Sequence, residues 1–334
     1  MMHKFIILLT AFPAGLLILL LYSRMSTSVE QASPPPPPFQ HVSRHTHDKD
    51  LDARLSRAEA IWRQAAQDRK VMAEQMGYNR KFPDGYINPY HVWDFARPSF
   101  SCPHELERVG KLGDGGKVVC GMSRYEKESP GPSVVDNPNR ELVIYSFGVS
   151  RDSTFEAAML RRTNARIWGY DYSVNHWGEG IPNEGHSRAN FTKMGIGKTT
   201  HLDWKPPMST IHDLMKFNGH TFIDIVKMDI EGAEFDALAS VIQSVLEGGL
   251  QHGNASLPFG QLLLEVHFMK EPKGFSIPQD PSSWLTWWAS LEKMGLRPVN
   301  NEDNWIGDAV HGKPRFMEYT LINVFERDRN MLLW

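Results

Sequence analysis

Two periods of apolar spacing alternate along this chain. Ile223-Asp224-Ile225-Val226-Lys227-Met228 is a short run rich in β-branched residues, followed by Asp229, Glu231 and Gly232. Phe235, Leu238, Val241 and Ile242 then recur at helical spacing. The pattern predicts a buried strand, a tight turn and a helix. In an open parallel sheet, ligands gather at the carboxyl ends of strands, which makes Asp229 and Glu231 candidate site residues. The competing reading is of two solvated acids that favour a helix dipole. Leu142 to Phe147 repeats the form: an apolar run enters the Gly148-Val149-Ser150 loop, then Ser153 and Glu156 stand at capping-box spacing before a helix. Further strands are predicted at Arg166–Asp171, Met194–Lys198, Gln261–Phe268 and Tyr319–Phe325, with helices at Ser209–Phe217 and Trp284–Met294. Strands alternating with helices predict an α/β fold, a mostly parallel sheet covered on both faces.

Upstream, Leu51 to Gly77 carries an amphipathic stripe through Leu55, Ala58, Ile61, Trp62, Ala65 and Met72. This helix either packs on the following domain or pairs with another chain. Phe82 to Ser101 has no readable period. Asp114-Gly115-Gly116 ahead of Val118-Val119 predicts a tight hairpin entering a strand; its backbone amides could instead cradle an anion. Glu126 to Arg140, with Pro130, Pro132 and Pro138, reads as a loop.

The amino terminus has a different character. Phe5 to Tyr22 is an uncharged apolar run of membrane-spanning length. It reads as an uncleaved signal anchor, with a cleaved signal peptide as the alternative. Pro34 to Pro38 form a stiff polyproline segment. The expected organisation is an anchor over 1–24, a Pro-rich stem over 25–50, a helical and irregular lead-in over 51–99 and a catalytic domain over 100–334. The expected localisation is a single-pass type II membrane protein with that domain in the lumen.

Net charge is −3, with acids and bases interspersed, which excludes the basic footprint of a nucleic-acid binder. Cys102 and Cys120 are the only cysteines; they form either a disulfide in an oxidising compartment or two buried thiols. Asn190-Phe191-Thr192 and Asn254-Ala255-Ser256 are sequons compatible with a lumen. No Cys/His cluster suggests zinc, and no metal is expected.

Asp171 ends its strand roughly 20 residues after the glycine loop, a spacing suited to ribose hydroxyls. It is equally a turn aspartate before Tyr172-Ser173. The loop holds one glycine where a dinucleotide fingerprint needs three, and Gly195-x-Gly197-Lys198-Thr199 lacks the first part of a phosphate loop. Glu265 and His267 end another strand. His267 has a suitable intrinsic pKa for proton transfer, and a satisfied structural histidine is the alternative.

The series Phe147-Gly148, Asp171, Lys227-Met228-Asp229-Ile230-Glu231-Gly232-Ala233-Glu234 and Leu264-Glu265-Val266-His267 resembles the FkbM-type group of S-adenosylmethionine-dependent methyltransferases, most closely the methyltransferase-like protein 24 group. Cys102-Pro103 and Gly113 to Cys120 are similar to the upstream block of that group. The resemblance covers roughly residues 100 to 326. It departs in the first loop, where Ser146 replaces the usual acid and Gly148 alone remains of the glycines. The resemblance implies a Rossmann-like seven-stranded sheet with an antiparallel last strand, Tyr319 to Phe325. It implies S-adenosyl-L-methionine as cofactor: Phe147, Gly148 and Ser150 at its amino-acid end, Asp171 and Tyr172 near the ribose, Asp229 beside the methionine part or the acceptor. Asp229, Glu231, Glu265 and His267 are the catalytic candidates. The expected acceptor is a hydroxyl or carboxyl on a sugar, lipid or small metabolite. Two other classes fit an anchored chain: a luminal glycosyltransferase, for which Asp229-Ile230-Glu231 only approximates the metal-binding Asp-x-Asp, and an inactive methyltransferase fold acting as a binding module.

Overall fold

The structure is a computed structural model that describes residues 49–76, 82–84, 91–126, 141–182, 186–248, 255–269 and 274–334. The anchor, residues 25–48 of the stem and Asn254 of the second sequon lie outside the described residues. Among the described residues no helix is long and apolar enough to cross a membrane. The compact unit His47–Trp334 holds every element below.

In chain order the elements are α1 (Lys49–Met76), β1 (Leu106–Val109), β2 (Lys117–Cys120), α2 (Met122–Tyr125), β3 (Val143–Phe147), α3 (Thr154–Arg162) and β4 (Arg166–Asp171). Next come β5 (Ala189–Lys193), β6 (Gly195–Ile196), β7 (Met208–Ser209), α4 (Ile211–Asn218), β8 (Ile223–Met228), α5 (Glu234–Glu247) and β9 (Phe259–His267). The chain ends with α6 (Pro281–Lys293), β10 (Leu296–Asp303), α7 (Trp305–His311) and β11 (Phe316–Asn323). Seven strands form one sheet in the order β10-β11-β9-β8-β3-β4-β5. β11 runs antiparallel to both its neighbours, and the β9-β8-β3-β4-β5 pairs are parallel. The expected sheet, with its antiparallel last strand, is the one observed.

Period-two alternation divides the core. Tyr145 and Phe147 of β3, with Leu262, Leu264 and Val266 of β9, face a cluster built with Leu214, Leu238, Val241 and Trp284 from α4, α5 and α6. Ile144 and Leu263 point the other way, into a cluster with Phe155 and Leu160 of α3 and Leu51 and Leu55 of α1. β8 and β9 are buried along their whole length, which is why they read as apolar runs.

Three expectations change. The β10 strand was not anticipated, because Pro298 and the polar Asn300 to Asp303 do not read as a strand. β10 is an edge strand with a register shift at Pro298/Asn300, where proline costs the ladder little. The predicted capping box at α3 does not form. Ser153 makes no side-chain cap; its hydroxyl accepts from the Gly178 N–H at 2.9 Å, and Glu156 turns inward. Phe147 is fully buried among Tyr145 and Tyr170, so only its backbone borders the site.

Of the open alternatives, α1 packs on its own domain. Trp62 Nε1 donates to Glu292 at 3.0 Å, Arg69 grips Glu292 at 2.7 and 2.8 Å, and Arg297 holds Glu59 while lying 3.5 Å over the Trp62 ring. The cysteines form the disulfide Cys102–Cys120. It ties β2 back to the approach to β1, and the hairpin is antiparallel, as the Asp-Gly-Gly turn predicted.

Candidate active site

The parallel strands end in three loops at one edge of the sheet. The first follows β3. Gly148 has φ +78, and a Cβ there would overlap the Asp229 carbonyl oxygen. Glycine is needed because the backbones of two neighbouring strand ends meet at this point: the Asp229 N–H donates to the Phe147 carbonyl at 3.0 Å. Lys227 props the loop from below, donating to the Gly148 carbonyl at 2.7 Å and lying 3.4 Å from Glu156. Glu156 also accepts from the Ser146 hydroxyl at 2.5 Å. The acid missing from β3 is thus supplied from α3.

Asp171 closes the second strand end. Its Oδ2 accepts from the Val149 and Ser150 N–H groups at 2.9 and 2.8 Å, and its Oδ1 from the N–H and hydroxyl of Ser173 at 2.6 and 2.7 Å. Burial alone would raise its pKa, but these donors outweigh it and hold the carboxylate below the usual range. The expected ribose acid therefore already spends its oxygens on ordering the glycine loop. Ser150 sits at φ +51 as part of that turn. Beside it opens a cleft of about 820 Å³ lined by Ser150, Arg151 and the segment Ser173 to Pro182. Trp177 packs its ring onto Gly169 under this cleft. Tyr172, next to Ser173 in the chain, is half exposed.

The third group lies at the ends of β8 and β9. Asp229, Glu231, Glu265 and His267 do converge there. His267 Nε2 stands 3.7 Å from Asp229 and 3.5 Å from Glu265, and Nδ1 stands 3.3 Å from Glu234. Glu231 takes the left-handed conformation, φ +56, and stays exposed at the mouth. Three partners escaped the sequence reading. Glu318 of β11 pairs in register with Glu265. Asn304, just before α7, donates to Glu265 at 2.6 Å. Lys117, the first residue of β2, reaches in from the hairpin. Its ammonium is buried against Asp229 at 3.2 Å, Glu265 at 3.4 Å and Glu318. Like charges directly opposite on paired strands repel, and Lys117 neutralises the Glu265–Glu318 pair. β2 is held in place by Gln261, which bonds both the N–H and carbonyl of Cys120 at 2.8 and 3.2 Å.

The electrostatics follow from this crowding. Burial would raise the Asp229 pKa, but Lys117, His267 and Lys227 hold it well below the carboxylate range. Glu265 moves the opposite way, raised by burial and by Asp229. Burial would depress His267, but Glu234, Glu265 and Asp229 push it up to about 10. His267 is thus a cation in this site rather than a free base. The absence of a zinc-type cluster did not foresee the oxygen-rich sets that the fold assembles. Ligand atoms of Asp229, Glu231 and His267 lie within 4.8 Å of one another, as do those of Asp114, Glu265 and Glu318.

Residues 57–309 match the profile of a family described as "Methyltransferase domain". The chain belongs to this methyltransferase family. A curated human relative, "Probable methyltransferase-like protein 24", is 24% identical over 175 residues, 46% of this chain and 40% of the relative. The chain thus matches two fifths of that relative's length. Among solved structures, the Methanococcus jannaschii fibrillarin pre-rRNA processing protein is 11% identical, over 72% of this chain and 87% of that chain, with a TM-score of 0.32. The N-terminal domain of EvdMO1, a structure determined in the presence of SAH and D-fucose, is 9% identical over 59% and 83%, with a TM-score of 0.27. Likenesses at these scores carry no functional weight. Family membership itself supports S-adenosylmethionine as the cofactor of this methyltransferase. Its residues suit that molecule: an open cleft at the glycine loop suits a nucleoside, and an ionised Asp229 suits a sulfonium.

Proposed function

We propose that this methyltransferase moves a methyl group from S-adenosylmethionine to an oxygen acceptor, a hydroxyl or carboxyl on a sugar, lipid or small metabolite. The observation that carries the reading is the meeting of the Gly148 loop with Asp229 and Glu231 at adjacent strand ends. The bound cofactor supplies a methyl on a sulfonium, so the protein mainly has to position the acceptor and manage charge. The nucleoside fits the cleft beside Ser150 and Tyr172, with its ribose at Asp171 Oδ1, whose partner Ser173 Oγ can rotate away. Gly148 leaves the loop backbone open to the amino-acid end. Asp229, held ionised by Lys117 and Lys227, faces the positive sulfur. Glu231 at the mouth receives the acceptor and is placed to take its proton. Glu265 and His267 lie one step behind and fix Asp229. The Cys102–Cys120 disulfide supports an oxidising compartment, so we place the domain in the lumen behind an N-terminal anchor.

Calorimetric titration of the full chain with S-adenosylmethionine and with its demethylated, uncharged product tests this. Both are expected to bind. Asp229→Asn removes the charge facing the sulfonium, so it should weaken the charged donor about tenfold more than the product, roughly 1.4 kcal/mol of selectivity. Equal weakening of both, or no binding by the native chain, would overturn the assignment.

A further inference from the structure

Asp229, Glu231 and His267 offer a carboxylate, a second carboxylate and an imidazole within 4.8 Å of one another. Two acids alone would be ordinary. What sets this group apart is His267, a side chain only 3% exposed. Its Nδ1 has no hydrogen-bond partner, and Nε2 lies 3.7 Å from Asp229 Oδ1 and 3.5 Å from Glu265 Oε1, beyond good hydrogen-bond length. A buried imidazole nitrogen without a hydrogen bond is costly. Its orientation is nevertheless determined by its neighbours. Glu234 Oε1 accepts from the His267 backbone N–H at 2.6 Å, Oε2 accepts from the Gly232 N–H at 2.9 Å, and Oε1 stands 3.3 Å from Nδ1. A carboxylate behind one ring nitrogen, with the other aimed at oxygens, is the arrangement that orients a metal-ligating histidine.

We propose that Asp229 Oδ1, a Glu231 carboxylate oxygen and His267 Nε2 bind one divalent cation of the magnesium or manganese class, the ion displacing the Nε2 proton of His267 to solvent. Metal–oxygen bonds of about 2.1 Å give neighbouring ligands a separation of about 3 Å. The 3.7 Å between Asp229 Oδ1 and His267 Nε2 contracts to that with a small side-chain shift, and Glu231, exposed at the mouth, is free to close on the ion. The neighbouring set, Asp114 with Glu265 and Glu318, differs because the Lys117 ammonium already fills it. Lys117 also takes Asp229 Oδ2, leaving Oδ1 turned to His267. Three protein ligands leave positions open for water or substrate. The ion would therefore sit where the acceptor arrives, hold its oxygen and lower the pKa of a hydroxyl. The ion's role rests on the methyl-transfer reading, whereas its binding does not.

The test uses the full chain stripped with a chelator and titrated with manganese(II), followed by calorimetry and by electron paramagnetic resonance of the free ion. One ion per chain is expected. Glu231→Gln and His267→Gln should each weaken it tenfold or more, and Asp114→Asn should leave it unchanged. Glu231 is exposed, so its variant keeps the test decisive should the His267 variant fail to fold. No saturable binding up to about 1 mM, the weak end for such sites, would overturn the proposal. Unchanged binding in Glu231→Gln, or loss in Asp114→Asn, would overturn it as well. Binding of S-adenosylmethionine is measured on the same samples. Manganese bound without it would sink the methyl-transfer reading and keep the ion site; the reverse would sink the ion site alone.

Discussion

The two groups of strand ends solve the same problem in opposite ways. At the Gly148 end the main charged groups are spent within the protein, while Glu156 Oε2 and Trp177 Nε1 are buried without a hydrogen bond. Asp171 takes four donors, Lys227 caps the Gly148 carbonyl, and Glu156 is held by Ser146. At the Asp229 end, Asp229, Glu231, Glu234 and Glu318, with Glu265 raised beside them, meet the cations Lys117, His267 and Lys227. One end is a frame whose charges are largely matched from within. The other keeps surplus negative charge, and its natural complement is positive: a sulfonium, a metal ion or both. A rigid loop thus shapes the binding of a nucleoside, while a charged cluster holds the reacting centre.

The hardest test of that contrast is to remove the cation that makes the crowded end tolerable. Lys117 is buried and touches three carboxylates. Lys117→Met fills similar space but leaves Asp229, Glu265 and Glu318 uncompensated. Breaking a buried ion pair this way costs about 3–5 kcal/mol, read as a fall in the midpoint of urea unfolding. A second change, Glu318→Gln in the Lys117→Met background, should recover part of the loss by removing one repelling charge. A Lys117→Met protein as stable as the native one would mean that the cluster is not strained.

The Gly148 end should respond less in stability and more in binding. Asp171→Ala orphans the Val149 and Ser150 N–H groups, which should cost about 2 kcal/mol and abolish binding of the demethylated cofactor product. Ser173→Ala removes one of the four donors and should keep both. If Asp171→Ala left stability untouched while binding vanished, the carboxylate would be a ligand contact only, and the loop would owe its order to something else.

These contrasts also explain what the sequence could and could not disclose. Strands β3, β4, β8 and β9 were legible because a parallel strand covered on both faces must be apolar throughout. Asp229, Glu231, Glu265 and His267 were legible because they follow directly on such runs. Lys117 was not, because its place depends on a hairpin folding across β9 and β11 and on Gln261 holding Cys120. Glu318 was hidden within the last strand, where only the register with Glu265 brings it to the site. Glu156 was misread as a capping residue because local spacing cannot reveal that Ser146 and Lys227 wait beneath it. β10 escaped because an edge strand tolerates the proline and asparagines that argue against a central one. Local patterns therefore showed which strand ends matter, and the charges that balance them arrived from elements distant in sequence.

The smallest expected effect lies under the same strands, at the end away from the cleft. His220 Nδ1 lies 2.7 Å from the Tyr145 hydroxyl, which also receives the Asn218 amide at 2.8 Å. The Tyr145 hydroxyl has one proton to give, to His220 Nδ1 or to the Leu214 carbonyl at 3.4 Å. Burial lowers the His220 pKa from 6.5. The sign follows: the unfolded chain binds the proton more readily, so this contribution is complete above pH 6.5 and is lost as pH falls through the lowered folded value. Half-buried His104, whose Nε2 lies 2.9 Å from the Leu332 carbonyl, is lowered as well, first by burial, and adds in the same direction. His220→Gln should therefore raise melting temperature at pH 5 relative to pH 7 compared with the native chain, whereas His267, raised to about 10, contributes in the opposite sense in both proteins. Binding selectivity between the charged donor and its neutral product should stay constant over the same range, because Asp229 is held ionised well below it. A selectivity that fell in step with the melting temperature would mean that the two ends of the strands are coupled, and that the cleft's charge is not set locally by Lys117, His267 and Lys227.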